Sequence, residues 1–543
     1  MPLQGDFHAR VCGQEGGVLA GAVVVQRRGP LAARAQVLGT GGRLCGGNGG
    51  ALVVWADSDQ LRAMARILEV GWIEGFAFRE KHNEYASGIV GADAAHANGY
   101  DGAGQTLAVA DTGLGTGPPS GAHPGIDPGR IVDIQDWVGV SDDPTCYQVV
   151  NDGPHDVDSG HGTHVAGIAG GDGALSGGAY AGFAPGASVY SIRVMDALGR
   201  GYTSDVIAGL DWVLGHAQAE NIRVVNMSLG KAVTESAATD PLVMAVEQVW
   251  DAGIVVIASA GNYGRDGHMT ITSPGISPKI ITVGSLTDAG TGTDFTDDTV
   301  SSYSSRGPTR FEHAVKPDLL APGNRIGAAI SAEASLKSML PWRRLPCPST
   351  YGGTDVNLAN CQADYFEMSG TSQAAAVMSG VAALVLETDP TLTPDAVKCR
   401  LMASARPAVT ADGRPAYSIL QQGTGLVNAY DAVYGSAVDC ANRGLDIAAD
   451  LAGIQHYGGP VNEDGQGNFY IMSPDGYLWS DGYLWSDGYL WSDAYLWSDG
   501  YLWSDGYLWS DGYLWSDGYL WSDGYLWSDG YLWSDGYLWS DGY

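Results

Sequence analysis

Basic residues are scarce in this chain. Its 543 residues include 28 Lys and Arg against 61 Asp and Glu, and the formal net charge is −33. Nucleic-acid binding depends on basic clusters that neutralise phosphates, and the sequence has none, which argues against such a partner. Residues 1–82 carry nine basic and seven acidic residues, a net of +2, which leaves −35 for residues 83–543. This difference favours association of the basic head with the acidic remainder.

Long hydrophobic runs are also missing. The apolar stretches fall short of the roughly 18 residues that a membrane-spanning helix requires. "GVLAGAVVV", Gly17–Val25, is preceded by Glu15 and followed by Arg27 and Arg28. This stretch is typical of a β-strand and makes a poor signal peptide. We therefore expect no transmembrane segment and find no clear signal peptide in the sequence.

Cysteine is sparse, with seven residues and no CxxC pair of the metal-binding kind. Cys347 and Cys361 bracket a polar loop that a disulfide could close, and Cys399 and Cys440 are a second possible pair. Seven free, buried thiols are the alternative, and the odd count leaves at least one thiol over. The possible pairs favour an oxidising compartment, so we expect an extracellular or cell-surface protein.

The pattern of the sequence changes along the chain. Residues 1–82 are typical of a small α+β unit, with strand-like "VLAGAVVVQ" and "ALVVWAD" and an amphipathic helix "DQLRAMARILEV" after Ser58. Residues 83–437 form the largest unit, followed by a connector, 438–476, and a repeat, 477–543. The length and the 45% of hydrophobic residues suffice for a large core.

Strands and helices alternate from about Gly99 onward. Nearly continuous apolar strands, "TLAVAD", "ASVYSIRVM", "IRVVNMSLG", "GIVVIASAGN" and "KIITVGS", are separated by helical stretches such as "TSDVIAGLDWVLGHAQAE" and "DPLVMAVEQVWDAG". This alternation predicts an α/β fold with a mostly parallel sheet covered on both faces. Ligands bind such sheets at the carboxyl ends of the strands, so the residues that follow each strand are the candidates for chemistry.

The last 67 residues repeat one hexapeptide. "YLWSDG" runs through eleven copies from Tyr477 to Tyr543, and Ala494 replaces one glycine. One prediction is a meander of four-residue strands joined by Asp-Gly hairpin turns. Disorder, or stacking of the repeats against another surface, is equally compatible with the sequence. We expect the aromatic residues to let this tail bind a surface or a polymer.

Four candidate residues follow these strands or begin a helix. Asp111 ends "TLAVAD", His161 begins the small-residue helix of "DSGHGTHVAG", Asn262 ends "VVIASAGN", and Ser372 lies in "MSGTSQAAAVMSGVAALVL". Each alone has an ordinary explanation as a turn or capping residue. Together they supply an acid, an imidazole, an amide and a hydroxyl, all in glycine-rich segments at one edge of a parallel sheet. This combination is typical of a catalytic site.

Nucleophilic catalysis requires these residue types. A serine hydroxyl is a weak nucleophile and needs a base, here His161, within hydrogen-bond reach. Asp111 would hold the imidazole in the right tautomer and stabilise its charged form. The Asn262 side chain and backbone N–H groups near Ser372 would hold the developing oxyanion.

The stretch around Ser372 also predicts a buried helix. Its run of Ala, Val and Leu suits an apolar environment. Ser369, Thr371 or Ser372 is expected to cap the first turn of that helix, because hydroxyl side chains accept hydrogen bonds from the free N–H groups there.

Taken together, these segments resemble the subtilisin-like serine proteases (subtilases). The order Asp, His, Ser is that of the family, as are "DTG", "GHGTHVAG", "NMSLG", "AGN", "SSRGP" and "SGTS". "IRVVNMSLG", "DPLVMAVEQVWDAGIVVIASAGN" and "SPGISPKIITVG" are closer to the bacterial AprX-like group. The resemblance covers residues 83 to 435 and implies a three-layer α/β/α sandwich that hydrolyses peptide bonds in polypeptides.

The resemblance also implies roles for individual residues. Asp111, His161 and Ser372 match the catalytic triad, and Asn262 matches the oxyanion donor. Other matching positions would bind the substrate: Ser228, Leu229 and Gly230 as the strand that pairs with its backbone, and Ala260 and Gly261 beside the side chain that precedes the scissile bond (P1). Residues 1–82 then match an inhibitory propeptide, so the protein would be made as a zymogen.

Two positions depart from the family pattern. Gln373 stands where the family commonly has Met, and Ala376 stands where it commonly has Pro. Neither change removes a reacting atom. His164 also belongs to the family motif, and we interpret it as structural. The chemistry requires no cofactor, and the calcium that family members often bind cannot be assigned to ligands by spacing, so metal residues stay unknown.

Two other functions compete with this one. An adhesive or surface-binding protein could act through the aromatic tail and keep a latent protease domain, but candidates for all four catalytic positions are intact. An acid peptidase of the sedolisin type uses a glutamate base, whereas this chain has His161. The sequence therefore predicts a serine endopeptidase.

Overall fold

The computed structural model describes part of the chain. Within the first 81 residues it describes four strands and Ala63. It then describes residues 82–117, 121–122, 125–139, 156, 159–288, 295, 297–331, 334–345, 350–351, 354–355, 365–408, 416–438 and 440–442. Beyond these it describes two short strands and the strands of the repeat.

An eight-stranded sheet forms the centre of the largest unit, residues 83–437. Its strands are β5 (Thr106–Asp111), β8 (Ile131–Asp136), β9 (Ser188–Arg193), β10 (Ile222–Met227), β11 (Val255–Ser259), β12 (Ile281–Thr287), β13 (Thr299–Val300) and β14 (Leu319–Pro322). The order is β13-β12-β11-β10-β5-β9-β8, and β14 also pairs with β12. Every pairing is parallel except that of β12 with β13.

The apolar composition of these strands explains their central position. Each residue of β5 and of β11 is buried, as expected of strands covered on both faces. The five strands predicted from the sequence correspond to β5, β9, β10, β11 and β12, so the parallel α/β prediction is confirmed. The short β13 and β14 and the more exposed β8 were not predicted, because they lack a long apolar run.

Ten helices accompany the sheet within the described residues. They are α1 (His82–Val90), α2 (Ala92–Ala97), α3 (His161–Gly170), α4 (Thr203–His216), α5 (Pro241–Asp251), α6 (Leu336–Met339), α7 (Thr371–Thr388), α8 (Pro394–Ser404), α9 (Ile419–Gln422) and α10 (Ala429–Tyr434). Four short 3-10 turns lie at Pro128–Arg130, Ala174–Ser176, Gly264–Asp266 and Pro341–Arg343. Helices α3 and α7 contact each other, as do α4 and α5, and both pairs contact the sheet. No helix of the described residues is long and apolar enough to cross a membrane.

Helix α7 passes through the core. Its first sixteen residues are all buried, from Thr371 to Leu386. The prediction of a buried helix is confirmed, but the prediction of a hydroxyl cap is wrong. Gly370 occupies the capping position with no side-chain bond. Ser369 Oγ instead accepts from the N–H of Arg325 (2.8 Å), a distant segment whose donor competes for that oxygen.

Several small sheets lie outside the central one. In the head, β1 (Ala22–Arg27), β2 (Arg43–Gly46), β3 (Ala51–Trp55) and β4 (Val70–Gly75) form an antiparallel sheet in the order β2-β3-β1-β4. Two-stranded sheets join β6 (Thr116–Gly117) to β7 (Gly121–Ala122), β15 (Ile326–Ala329) to β18 (Tyr365–Met368), β16 (Thr350–Tyr351) to β17 (Thr354–Asp355) and β19 (Val461–Glu463) to β20 (Phe469–Ile471). The two strands predicted in the head are confirmed as β1 and β3, whereas β2 and β4 were not predicted. The predicted helix after Ser58 lies largely outside the described residues.

The repeat forms strands that pair in parallel. Nine strands cover "YLWS", from β21 (Tyr477–Ser480) to β29 (Tyr525–Ser528), and β30 and β31 are Leu532–Ser534 and Leu538–Ser540. Each strand pairs with the third strand after it, so that Tyr477 lies opposite Tyr495 and Trp479 opposite Trp497. The predicted hairpin meander is therefore wrong. Three strands complete an 18-residue period, which brings identical residues into parallel register in three sheets.

One predicted disulfide is present. Cys399 of α8 is bonded to Cys440, with a Cα–Cα distance of 5.2 Å. This bond ties the connector to the largest unit and contradicts the alternative of seven free thiols. The other possible pair, Cys347 and Cys361, lies outside the described residues.

Candidate active site

Three neighbouring strands bring the candidate residues to one edge of the sheet. Asp111 is the last residue of β5, Ser228 follows β10 directly, and Asn262 comes three residues after β11. These strands are adjacent in the order β11-β10-β5 and parallel, so their carboxyl ends meet. His161 and Ser372 come from helix starts, as the first residue of α3 and the second of α7.

Asp111 and His161 are hydrogen-bonded. His161 Nδ1 lies 2.7 Å from Asp111 Oδ1, which also accepts from the Thr112 N–H at 2.8 Å. The Asp111 side chain is 1% exposed and that of His161 is 27% exposed. Because a carboxylate only accepts, Nδ1 carries the proton, and the free Nε2 of neutral His161 is left as an acceptor.

The surrounding charges make this imidazole more basic. Burial lowers the pKa of His161, but the charge and hydrogen bond of Asp111 and the charge of Asp156 together raise it above its usual value. A more basic imidazole accepts a proton more readily, and its charged form is stabilised in place.

Asp156 joins the strand end that bears Asp111 to the helix that bears His161. Its Oδ1 accepts from Thr112 Oγ1 (2.9 Å) and from the Gly160 N–H (2.8 Å). Its Oδ2 accepts from the N–H (2.9 Å) and the hydroxyl (2.7 Å) of Thr163. Burial raises the pKa of this carboxyl against the opposing effect of the four hydrogen bonds. The network fixes the position at which α3 begins.

The Ser372 hydroxyl lies against the end of β10. Its Oγ donates to the carbonyl oxygen of Ser228 at 3.2 Å. In return, Ser228 Oγ lies 2.9 Å from the Ser372 carbonyl oxygen and 2.9 Å from Asn226 Oδ1. These contacts hold the start of α7 next to β10 and set the position of Ser372.

Asn262 is oriented by the residue before Ser372. Its Oδ1 accepts from the Thr371 N–H (3.0 Å) and from Thr371 Oγ1 (3.1 Å). An N–H group can only donate, so the atom that faces it is the amide oxygen. Nδ2 is thereby left to donate to another oxygen, as an oxyanion donor must.

The predicted substrate-binding residues lie beside this centre. Ser228 is buried, Leu229 half-buried and Gly230 exposed, and all three follow β10. Ala260 and Gly261 are buried after β11, and the Gly261 N–H donates to Thr371 Oγ1 at 3.2 Å. Gly261 has φ +104°, a conformation that favours glycine. The two segments therefore flank the same strand ends as Asn262 and Ser372.

Comparison with known proteins identifies the family. Residues 102–435, which make up more than half of the chain, match the family model of peptidase S8, the Subtilase family. This chain belongs to the subtilase family. Subtilases are serine endopeptidases that use Asp, His and Ser, the residue types that converge here.

Two relatives by sequence, AprX and subtilisin E, support the same family. Serine protease AprX of Bacillus subtilis (strain 168) is 41% identical over 302 residues, 55% of this chain, and the match spans 60% of its own length. Subtilisin E of the same organism is 31% identical over 331 residues, covering 60% of this chain and 68% of its own. The crystal structure of a cold-adapted subtilisin-like serine proteinase has a TM-score of 0.40 at 29% identity and covers 61% of this chain and 89% of that one.

Gln373 and Ala376, which depart from the family pattern, and the second motif histidine, His164, are all buried in this subtilase. Gln373 is 2% exposed, and its Nε2 lies 3.9 Å from Met368 Sδ. Ala376 is fully buried in α7. His164 is fully buried, and its Nε2 contacts the Phe366 carbonyl oxygen at 3.0 Å. Burial lowers the pKa of His164 to about 3, so this histidine is neutral and joins α3 to β18, as a structural role requires.

Sequence reasoning missed two residues that position this site. Asp156 lies five residues before His161 and just outside the motif "DSGHGTHVAG". An acidic residue so close to the candidate base was the feature that could have indicated its role. Thr371 was considered only as a helix cap, yet its hydroxyl contacts both Asn262 and Gly261. As for metals, no group of three or more His, Cys, Asp or Glu in the described part of the chain could hold an ion, so no calcium ligands are assigned.

Proposed function

We propose that this subtilase is a serine endopeptidase that cleaves polypeptides through Asp111, His161 and Ser372. The observation that carries the proposal is the 2.7 Å contact between His161 Nδ1 and buried Asp111, at the sheet edge where Ser372 lies in the first turn of α7. A histidine that is already oriented by, and paired with, an acid can activate a serine hydroxyl at neutral pH.

The reaction begins when the Ser372 hydroxyl turns from the Ser228 carbonyl towards the imidazole. His161 Nε2 takes the hydroxyl proton as Oγ attacks the scissile carbonyl carbon, and Asp111 stabilises the imidazolium. The imidazolium then protonates the leaving amine, which departs and leaves an acyl group on Ser372. Water, deprotonated by the same imidazole, hydrolyses the ester and restores the hydroxyl.

The tetrahedral intermediates carry a negative oxygen that needs donors. Asn262 Nδ2 is the side-chain donor, because Thr371 fixes the amide with its oxygen turned away from that role. Ser228, Leu229 and Gly230 present backbone to the substrate, and no cofactor takes part in these steps. Structural calcium at other sites stays a proposal without assigned ligands.

We further propose that the protein is a secreted or surface zymogen. The antiparallel sheet of β1–β4 and the +2 charge of residues 1–82 fit a head that binds the acidic body as a propeptide. The Cys399–Cys440 disulfide fits an oxidising compartment. A second candidate function, adhesion, rests on the in-register Tyr and Trp positions of the repeat, which would bind a surface or polymer.

Covalent labelling tests the proposed chemistry. A fluorophosphonate should label the wild-type protein at Ser372, and labelling and peptide hydrolysis should both disappear in Ser372→Ala, apart from a residual rate about 10³-fold above water. Ser372→Ala should also retain residues 1–82 if maturation is autocatalytic. The matched control is Ser369→Ala, an exposed serine of the same stretch, which should be labelled like the wild type. Turnover of Ser372→Ala near the wild-type rate would refute the assignment.

A further inference from the structure

The first three strands of the repeat have a pairing edge that no other described strand occupies. β21 (Tyr477–Ser480), β22 (Tyr483–Ser486) and β23 (Tyr489–Ser492) each pair with the third strand after them and, among the described strands, with no other. The described strands that precede them, β19 and β20, pair with each other. An open edge of this kind presents backbone N–H and C=O groups to which another strand can bond.

The last three described strands have the complementary open edge. β29, β30 and β31 pair with the third strand before them, and no described strand pairs with their other edge. The pairing rule of the repeat would add three more copies of the same segment there, in chain order. β21, β22 and β23 are three such copies in that order. Within one chain the two open edges lie at opposite ends of each sheet, so they can meet only between two molecules.

The register of the repeat favours a second copy of this chain over an unrelated strand. Tyr477 lies opposite Tyr495 and Leu478 opposite Leu496, and every pair of repeat strands aligns identical residues in this way. Identical segments stacked in parallel register bond their backbones to the strands above and below. An unrelated strand could supply the backbone groups, but only another copy of the repeat supplies the same residue at every position.

We propose that the repeat is a self-association surface, on which β21, β22 and β23 of one copy pair in parallel with β29, β30 and β31 of a second copy. Trp479 would then lie opposite Trp527 of the second copy, as it lies opposite Trp497 within its own chain. The contact joins two different edges, so each molecule keeps one edge open and repetition links more than two molecules. The proposal is independent of the proposed peptidase chemistry.

The charge of the repeat makes this association dependent on salt. Residues 477–543 contain eleven Asp and no Lys, Arg, His or Glu, so two tails repel each other. Sedimentation of Ser372→Ala, chosen to prevent self-digestion, should show larger species as NaCl rises from about 0.01 to 1 M, because the screening length falls from about 30 to 3 Å. The same protein truncated after Pro474 is the control and should stay monomeric. A full chain that stays monomeric at every salt concentration, or a truncated one that associates equally, would overturn the proposal.

Cysteine variants in the same Ser372→Ala background test the register. Ser480 of β21 should lie opposite Ser528 of the second copy, at a strand spacing of about 4.8 Å that a disulfide can bridge. Ser480→Cys and isotopically labelled Ser528→Cys are mixed and oxidised, and mass spectrometry should find the cross-link between a light and a heavy tail. Ser510→Cys replaces Ser528→Cys in the matched control and should give no such cross-link, because its strand, β26, is paired on both edges.

The opposing outcomes are distinct from those of the proposed function. Equal cross-linking of Ser510→Cys would show that the tails associate out of register and would overturn the inference. A full chain that binds insoluble polymers but stays monomeric would favour adhesion and overturn it as well. Neither experiment measures peptide hydrolysis, so failure of the proposed triad would leave both results unchanged.

Discussion

At the scale of single residues, the site depends on carboxylates that act on one imidazole. Asp111 contacts His161 directly, whereas Asp156 acts through its charge and through the loop it holds. The two acids are therefore separable by experiment. Loss of Asp111 would leave the imidazole without its hydrogen-bond partner, whereas loss of Asp156 would remove a nearby negative charge and the bonds that hold the start of α3.

We expect Asp156→Asn to move the acid limb of activity to lower pH. His161 must be neutral to take the proton, so kcat/KM rises as pH passes through its pKa, which stands above the usual value. Removing a negative charge destabilises the imidazolium and lowers that pKa. The measurement is kcat/KM against pH, with Asp133→Asn on the edge strand β8 as the control. A purely structural role would reduce kcat/KM at every pH and leave the limb in place.

For Asn262→Ala we expect kcat to fall by about 10²–10³-fold with little change in KM. The amide donates to an oxygen that becomes fully charged only in the transition state, so its loss affects the chemical step. Steady-state kinetics on a small peptide substrate provide the measurement. A change confined to KM would assign Asn262 to ground-state binding instead.

Gln373 should make this subtilase resistant to peroxide. Oxidation of a methionine at this buried position would place a bulkier, polar sulfoxide beside the nucleophile, and glutamine has no sulfur to oxidise. We expect Gln373→Met to be inactivated faster than wild type. Met368 contacts Gln373, so both proteins are also compared in a Met368→Leu background, with sulfoxides mapped by mass spectrometry. Equal inactivation rates in that background would show that residue 373 does not control the sensitivity.

At the scale of elements, a buried charge cluster joins β12, β14 and α8. Asp318, just before β14, accepts from Lys316 Nζ at 2.6 Å and from Lys398 Nζ of α8 at 3.1 Å. The Thr282 N–H of β12 donates to the same carboxylate at 2.7 Å. One buried carboxylate thus pairs with the side-chain amines of two lysines. Burial lowers the pKa of Lys316 to about 7, although the negative charge of Asp318 raises it.

The two sides of this cluster should respond differently to substitution. Asp318→Asn removes the one carboxylate that contacts both buried lysines and should destabilise the fold by about 3–5 kcal/mol. Lys316→Met leaves Asp318 paired with Lys398 and should cost far less. Urea unfolding is measured for both variants in a Ser372→Ala background, which prevents self-digestion. Similar losses of stability in the two variants would contradict this account.

The same cluster predicts a pH dependence of stability. Between pH 7 and about 10 the unfolded Lys316 is protonated while the folded one has released its proton, so stability rises with pH over that window. Lys316→Met should lose this part of the rise, which serves as a second readout of the urea experiment.

At the scale of the whole molecule, the described strands of the repeat share no sheet with those of residues 83–437. Its strands pair only with one another in three parallel sheets, and among the described strands none joins the central sheet. Each strand pairs with the strand three further along the chain, so the repeat is stabilised by contacts between neighbouring copies. The triad and its supporting residues all belong to elements that end before the connector.

Truncation after Pro474 should therefore leave hydrolysis of small peptides unchanged. If the tail binds a surface or polymer, its loss should appear only with insoluble substrates or whole cells, as weaker retention. The measurement compares kcat/KM on a soluble peptide with binding to insoluble protein for both forms. A truncated protein that does not fold, or does not cleave the peptide, would show that the tail supports the catalytic unit.

Local pattern in the sequence determined the parallel α/β fold and the positions at which to look for chemistry. The buried strands β5, β10 and β11 are short apolar runs, and such runs specify strands wherever they are covered on both faces. Because parallel strands end at one edge, residues such as Asp111 and Asn262 could be grouped before any coordinates were known. The order of the catalytic candidates along the chain, Asp111, His161 and then Ser372, indicated the resemblance to the subtilases.

Only the tertiary structure decided which side chains support that group. The partners Asp156 and Thr112 lie 44 residues apart, and Thr371 and Asn262 lie 109 apart, and no local pattern encodes such contacts. The same reason explains the wrong cap, since the hydroxyl of Ser369 is taken by the distant N–H of Arg325. In the repeat, one hexapeptide is compatible with hairpins or with parallel coils, and the choice depends on which strands meet across 18 residues.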